Sequence, residues 1–249
     1  MSPRSVRVGA AQLIAGVALI LAPLVWLVAV VIRYLVRRIA DFTPEQEAYF
    51  DGQTFRAPQQ LAVYLQEPEL TIAGYALFAG ASVLLLPAVS GLARSAVVGR
   101  GWLASLGGLL VAVSLMARLY FSGVDLTAFE LVDQIGLEAA TKFVLDGYVD
   151  LSYGLWRIPV SLSAGSILGC LVLAIAAYRA GVFGLGRCLL LIWWGWTFMG
   201  VLKDSHLGTV LGGVALCLTM IRLGIGVLGG GHSHQTLQVP AGRRSIPLW

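Results

Sequence analysis

The sequence predicts an all-α polytopic membrane helix bundle of six transmembrane spans, with an amphipathic helix in the third-to-fourth span connection. Three observations predict it. Charged residues make up 12% of the chain and hydrophobic residues 58%, where a soluble domain carries about 25% and 45–50%. Mean hydropathy is +0.83, more apolar surface than a water-facing fold can cover with polar groups. The apolar residues also gather into six runs, each close to the ~20 residues a helix needs to cross the hydrocarbon core.

The first run, 8–32, follows Arg4 and Arg7. It is longer than the 7–15 residues of a signal-peptide core and ends on no small-residue cleavage site, so it reads as a retained span. Pro23 within it is tolerable because neighbouring helices can satisfy a freed carbonyl. The later runs are 71–92, 102–121, 155–178, 183–202 and 207–228. Only Lys203, Asp204, Ser205 and His206 separate the fifth from the sixth, which suits a tight helical hairpin. Residues 1–228 form the membrane domain, with outer segments 33–70 and 122–154, and 229–249 reads as a flexible cytoplasmic tail.

Orientation follows from charge. With both termini in the cytoplasm, the two short inner loops carry Arg94 with Arg100 and Arg179 with Arg187, and no acid. All thirteen Asp and Glu then fall outside: six from Asp41 to Glu69, six from Asp125 to Asp150, and Asp204. Arg33, Arg37 and Arg38 lie outside too, so the purely basic short loops decide the orientation under the positive-inside rule. The expected location is the cell membrane. From Asp41 to Leu70 the first outer segment mixes Pro44, Pro58 and Pro68 with Phe42, Tyr49, Phe50, Phe55 and Tyr64. In the second, Phe129, Val132, Gly136, Ala139, Ala140 and Phe143 recur at three- and four-residue steps, which predicts an amphipathic helix over 126–145. Together the two segments read as an aromatic, acidic cap.

Net charge is +4, but the basic residues stand singly or in pairs beside apolar runs. That pattern suits anionic headgroups and excludes nucleic acid as a partner. The expected partners are the lipid bilayer and, at the outer face, another membrane protein. Cys170, Cys188 and Cys217 sit in or at the ends of apolar runs without CxxC spacing, so neither disulfides nor a metal are expected. His232 and His234 lack further ligands nearby, no two histidines lie in spans to hold haem, and no cofactor is expected.

Several residues are candidates for a site. Asp146 and Asp150 are four apart, so on a helix their carboxylates share a face, with Arg157 following. Paired carboxylates can share a proton or divide acid and base roles, which makes these three the catalytic candidates; a solvated acidic rim explains them more simply. Asp125, Lys203, Asp204 and Arg222 are the ligand-binding candidates. Arg222 is the one charge deep inside a predicted span, about 22 Å along the helix from Leu207. An arginine stem can nearly reach the cytoplasmic headgroups from there by snorkelling. Rows of small residues, Ala104, Gly108 and Ala112, Gly165 and Gly169, and Gly208 and Gly212, fit helix packing within one bundle better than a dimer interface.

The chain has no GxxxxGK[ST] phosphate loop, no HExxH helix, no GxSxG elbow and no DDxxD-like run. Three functions follow as expectations. A non-enzymatic sensing, protective or accessory protein, contacting a partner or ligand at its outer face, leads. A small transporter or export subunit would need polar groups at mid-depth, and the predicted spans hold little beyond Arg222. An intramembrane enzyme on a lipid-like substrate would rest on Asp146 and Asp150.

Overall fold

The computed structural model describes residues 9–97, 101–148, 158–197, 202 and 205–229. The first apolar run forms α1, Ala10–Ile39, whose 30 residues extend about 45 Å. That exceeds a ~30 Å core, so its last turns, with Arg33, Tyr34, Arg37 and Arg38, project past the apolar zone. Two short helices follow, α2 (Pro44–Asp51) and α3 (Ala57–Gln66). The Thr43 hydroxyl accepts from the Gln46 N–H while the Gln46 side chain accepts from the Thr43 N–H, and Pro44 occupies the first helical position. This capping box satisfies donors that the helix start leaves open.

Pro68 opens α4, Pro68–Ser95. Next comes α5, Gly101–Ile135, at 35 residues the longest element described. Gly136, at φ +84°, ends it, a conformation that costs glycine nothing. The chain continues as α6 (Leu137–Phe143) and a π-helical turn, Val144–Tyr148. A short α7, Ile158–Ser163, leads into α8, Gly165–Arg179. Then come α9 (Leu185–Trp196) and α10 (Leu207–Leu228).

Five helical segments are long and apolar enough to cross a membrane: α1, α4, α5, Val160–Arg179 and α10. The run 183–202 departs from expectation, because α9 has only 12 residues and spans about 18 Å. The 126–145 helix is also not a separate element. Its first half is the end of α5, and Gly136 divides it from α6. The tail from residue 230 lies outside the described residues.

The long helices pack in chain order, α1 on α4, α4 on α5, α5 on α8, α8 on α9 and α9 on α10, and α10 returns to α1. The ring encloses one apolar core with Leu19, Trp26, Leu85, Leu115, Leu173, Trp194 and Leu216 at its centre. Close approach of α5 and α8 rests on absent side chains. A methyl added at Gly107 would sit 2.6 Å from the Leu173 backbone nitrogen, and one at Gly169 would sit 2.8 Å from that of Val111. Outward, α1, α5, α8 and α10 present exposed Leu21, Leu109, Leu168 and Leu218, the surface lipid requires.

A second apolar cluster caps one end of the ring. It joins Leu61 and Tyr64 of α3, Tyr75 of α4, Phe129 and Val132 of α5, Ala140 of α6 and Leu202. The aromatic segments 33–70 and 122–148 therefore fold onto the bundle with a core of their own.

Candidate functional site

Directly beneath the cap, charges are buried among the helices. Arg118 of α5 donates to Asp125 Oδ2 at 2.8 Å, the two side chains being 4% and 0% exposed. They stand seven residues apart, two turns up the same helix face. The other carboxylate oxygen, Oδ1, accepts the Leu202 N–H at 2.8 Å. Leu202 itself has φ 40°, a left-handed conformation costing a leucine ~1–2 kcal/mol. Its side chain is fully buried in the cap cluster, so packing on one side and a charged acceptor on the other hold it there.

Arg33 of α1 joins this group from across the ring. Its guanidinium lies 4.0 Å over the Tyr75 ring and 5.0 Å over Phe78, while that of Arg118 lies 5.1 Å from Phe78. Phe78 thus meets two cations, and aromatic faces lower the cost of burying both. Tyr75 donates to Gln60 Oε1 at 3.2 Å, and Tyr64 donates to Asp133 Oδ2, tying α3 to α4 and α5. Burial, then that hydrogen bond, then the charges of Asp133 and Glu130 push the Tyr64 hydroxyl up to about 12.

One turn beyond Arg33 the polar groups open into a cavity of about 400 Å³, lined by Tyr34, Arg37, Arg38, Glu47, Ser205 and His206, with Ala40 and Leu207. Arg37 pairs with Glu47 at 3.1 Å. With its amide oxygen turned toward Arg37, buried Gln59 accepts from it at 2.7 and 3.0 Å. Arg38 lies 5.5 Å over the Tyr34 ring and has no ion pair among the described residues. Ser205 is 3% exposed and its Oγ finds no hydrogen-bond partner among the described residues. Cations, a hydroxyl and the start of α10 at Leu207 converge here, an arrangement that can hold an anion.

The residues singled out from sequence fare differently. Asp125 is fully buried in the ion pair rather than displayed on a surface. Asp146 is exposed on the π-helical turn. Arg222 is exposed on α10 and close enough to Arg187, at the start of α9, to interact with it electrostatically. Both belong to the half of the bundle away from the cap. Asp150, Arg157, Lys203 and Asp204 lie outside the described residues. Arg33, read as lying outside the first span, and Arg118, near the end of the third, are both buried. The seven-residue step from Arg118 to Asp125 was the available signal. No group of three or more His, Cys, Asp or Glu is placed to hold a metal among the described residues.

Compared with known proteins, the chain matches no family model, no curated protein and no solved structure. Its class comes from its own helices. Five of them are long and apolar enough to cross a membrane, which points to a membrane protein, helical throughout its described elements.

Proposed function

We propose that this is a six-span cell-membrane protein with cytoplasmic termini, working without catalysis as a sensing, protective or accessory protein that meets its partner or ligand at the outer, capped end. In this reading α9 is the fifth of six spans in chain order, filling the place in the ring between α8 and α10. Arg94 ends α4 and Arg179 ends α8, both away from the cap, which favours that end as cytoplasmic.

One observation carries the functional reading: among the described residues polar chemistry gathers at the capped end, and the middle of the bundle is an apolar core. Hydroxyls at depth are engaged with backbone. Ser82 donates to the Phe78 carbonyl, Ser114 to that of Ser163, Ser166 to that of Gly195, and Thr219 to that of Leu216. Arg118 lies about 26 Å along α5 from Gly101, near the far edge of a ~30 Å core rather than its centre. A transport path needs polar groups at mid-depth. A surface for contact needs them at one end.

Sidedness is tested with single cysteines in a background lacking the native three. An impermeant thiol reagent should label Glu138→Cys in intact cells and Arg94→Cys only after permeabilisation; the reverse pattern would refute the orientation. A photo-crosslinker at exposed Tyr49 should capture a discrete partner. Solute uptake by liposomes holding only the purified chain would replace this reading with the transporter.

A further inference from the structure

We infer that the cavity between α1 and α10 is a binding site for a phosphate-type oxyanion, presented either by a phospholipid headgroup or as a free ion. The inference deepens the reading above, resting on the capped end being the contact surface. Four features converge on it. Arg38 stands at the cavity with no carboxylate partner among the described residues. Arg37 brings a second guanidinium, already steered by Gln59 and Glu47. The 22-residue helix α10 begins at the cavity wall, and its first bonds back to His206 come from the Thr209 and Val210 N–H groups. The N–H groups of Leu207 and Gly208 therefore belong to the open first turn, where an anion is stabilised by those donors and the helix dipole.

The fourth feature is Ser205. A hydroxyl that is 3% exposed, lines the cavity and has no partner among the described residues is costly to bury. An oxyanion in the cavity accepts from the arginines, and a turn of the Ser205 side chain toward it would give that buried hydroxyl the acceptor it lacks among the described residues. Glu47 is the opposing group in the lining, and Arg37 neutralises it at 3.1 Å. With Arg38 added, the described lining is left with one net positive charge. A volume of about 400 Å³ equals roughly a dozen waters at ~30 Å³ each, room for a phosphate group and its first attached atoms. The last turns of α1 place the site beyond the apolar zone, at the depth where phospholipid headgroups carry their phosphates.

The test uses the purified full chain and two probes. Calorimetric titration with inorganic phosphate at fixed ionic strength reports the free ion. Native mass spectrometry from nanodiscs of phosphatidylglycerol and phosphatidylcholine reports retained phospholipid. The Arg38→Gln/Ser205→Ala double variant should bind phosphate, or retain phosphatidylglycerol, about tenfold more weakly or worse, as expected from losing a charge-assisted hydrogen bond. Glu47→Gln, which removes the competing carboxylate, should tighten binding, a gain that a misfolded variant cannot mimic. Phosphate bound in solution assigns the free ion; lipid retained without phosphate binding assigns the headgroup. Equal behaviour of wild type and both variants with both probes overturns the inference. Labelling of Glu138→Cys from the cytoplasm would instead refute the outer orientation and leave the anion site standing.

Discussion

Asp125→Asn is the sharpest perturbation the fold offers. The substitution preserves shape, and the new amide oxygen can still accept the Leu202 N–H that Asp125 Oδ1 accepts at 2.8 Å. Its amide nitrogen then faces Arg118, donor against donor, where a 2.8 Å ion pair stood. Arg33 and Arg118, both close to Phe78, then lose the attraction of the Asp125 charge that acts on each of them. Breaking a buried pair from one side costs about 3–5 kcal/mol, on the order of 10 °C in melting temperature for a chain of this size. Arg118→Met should cost less, because Asp125 keeps the Leu202 N–H and the nearby charge of Arg33. The double variant Arg118→Met/Asp125→Leu should recover most of the loss. The assay is the fraction of solubilised full-length chain still monodisperse by size exclusion after stepwise heating. If Asp125→Asn melts within the roughly 2 °C that ~1 kcal/mol produces, or if the double variant is worse than both singles, the pair does not hold the cap as argued.

Three other outcomes can be checked on the same preparation. Gly107→Ala should destabilise by about 1–3 kcal/mol, because its methyl meets the Leu173 backbone at 2.6 Å, whereas Gly123→Ala, with nothing within 4 Å, should be neutral or slightly stabilising. Tyr64→Phe should cost about 1 kcal/mol at neutral pH. The Tyr64 hydroxyl is raised to about 12 in the fold from ~10 unfolded, so its contribution is complete below pH ~10 and fades toward ~12; melting curves of variant and wild type should converge across that window. Arg222→Leu should leave melting within about 1 kcal/mol of wild type, since the side chain is exposed and its one resolved electrostatic neighbour is the like charge of Arg187; a larger loss would place it inside a polar site.

Membrane class was legible from composition because lipid is the only solvent matching so apolar a chain. Element ends were less so. The run 183–202 stays apolar past Trp196, yet α9 stops there: apolarity reports the surroundings of a residue, and Leu202 meets the same buried surroundings in a strained loop. Around residues 122–135 the two-faced pattern was legible and its bounds were not: Phe129 and Val132 bury into the cap, but as the last turns of the continuous helix α5 rather than as part of a separate element. Gly136 fitted the apolar period by spacing, but its positive φ breaks the helix. Asp125 was misplaced for a related reason: an acid at a predicted span end looks solvated unless its partner two turns earlier is also known to be inside.

The ion pair and the cavity are coupled through the chain itself. Leu202, bonded to Asp125, and Ser205, lining the cavity, are three residues apart, at most about 11 Å of extended backbone. Arg33 lies one helical turn below Arg37. Removing the Asp125 charge therefore leaves an extra positive charge beneath the oxyanion. At ~12 Å and an effective dielectric of ~20 that is worth about 1.4 kcal/mol, or up to roughly tenfold in affinity before screening. Asp125→Asn should thus weaken the fold and tighten phosphate binding at once, measured by the same titration well below its melting temperature. Those opposite signs separate electrostatics from damage, because a displaced Ser205 would loosen the anion along with the bundle. A fall in affinity would mean that Asp125 serves the cavity by holding Leu202 in place rather than by its charge.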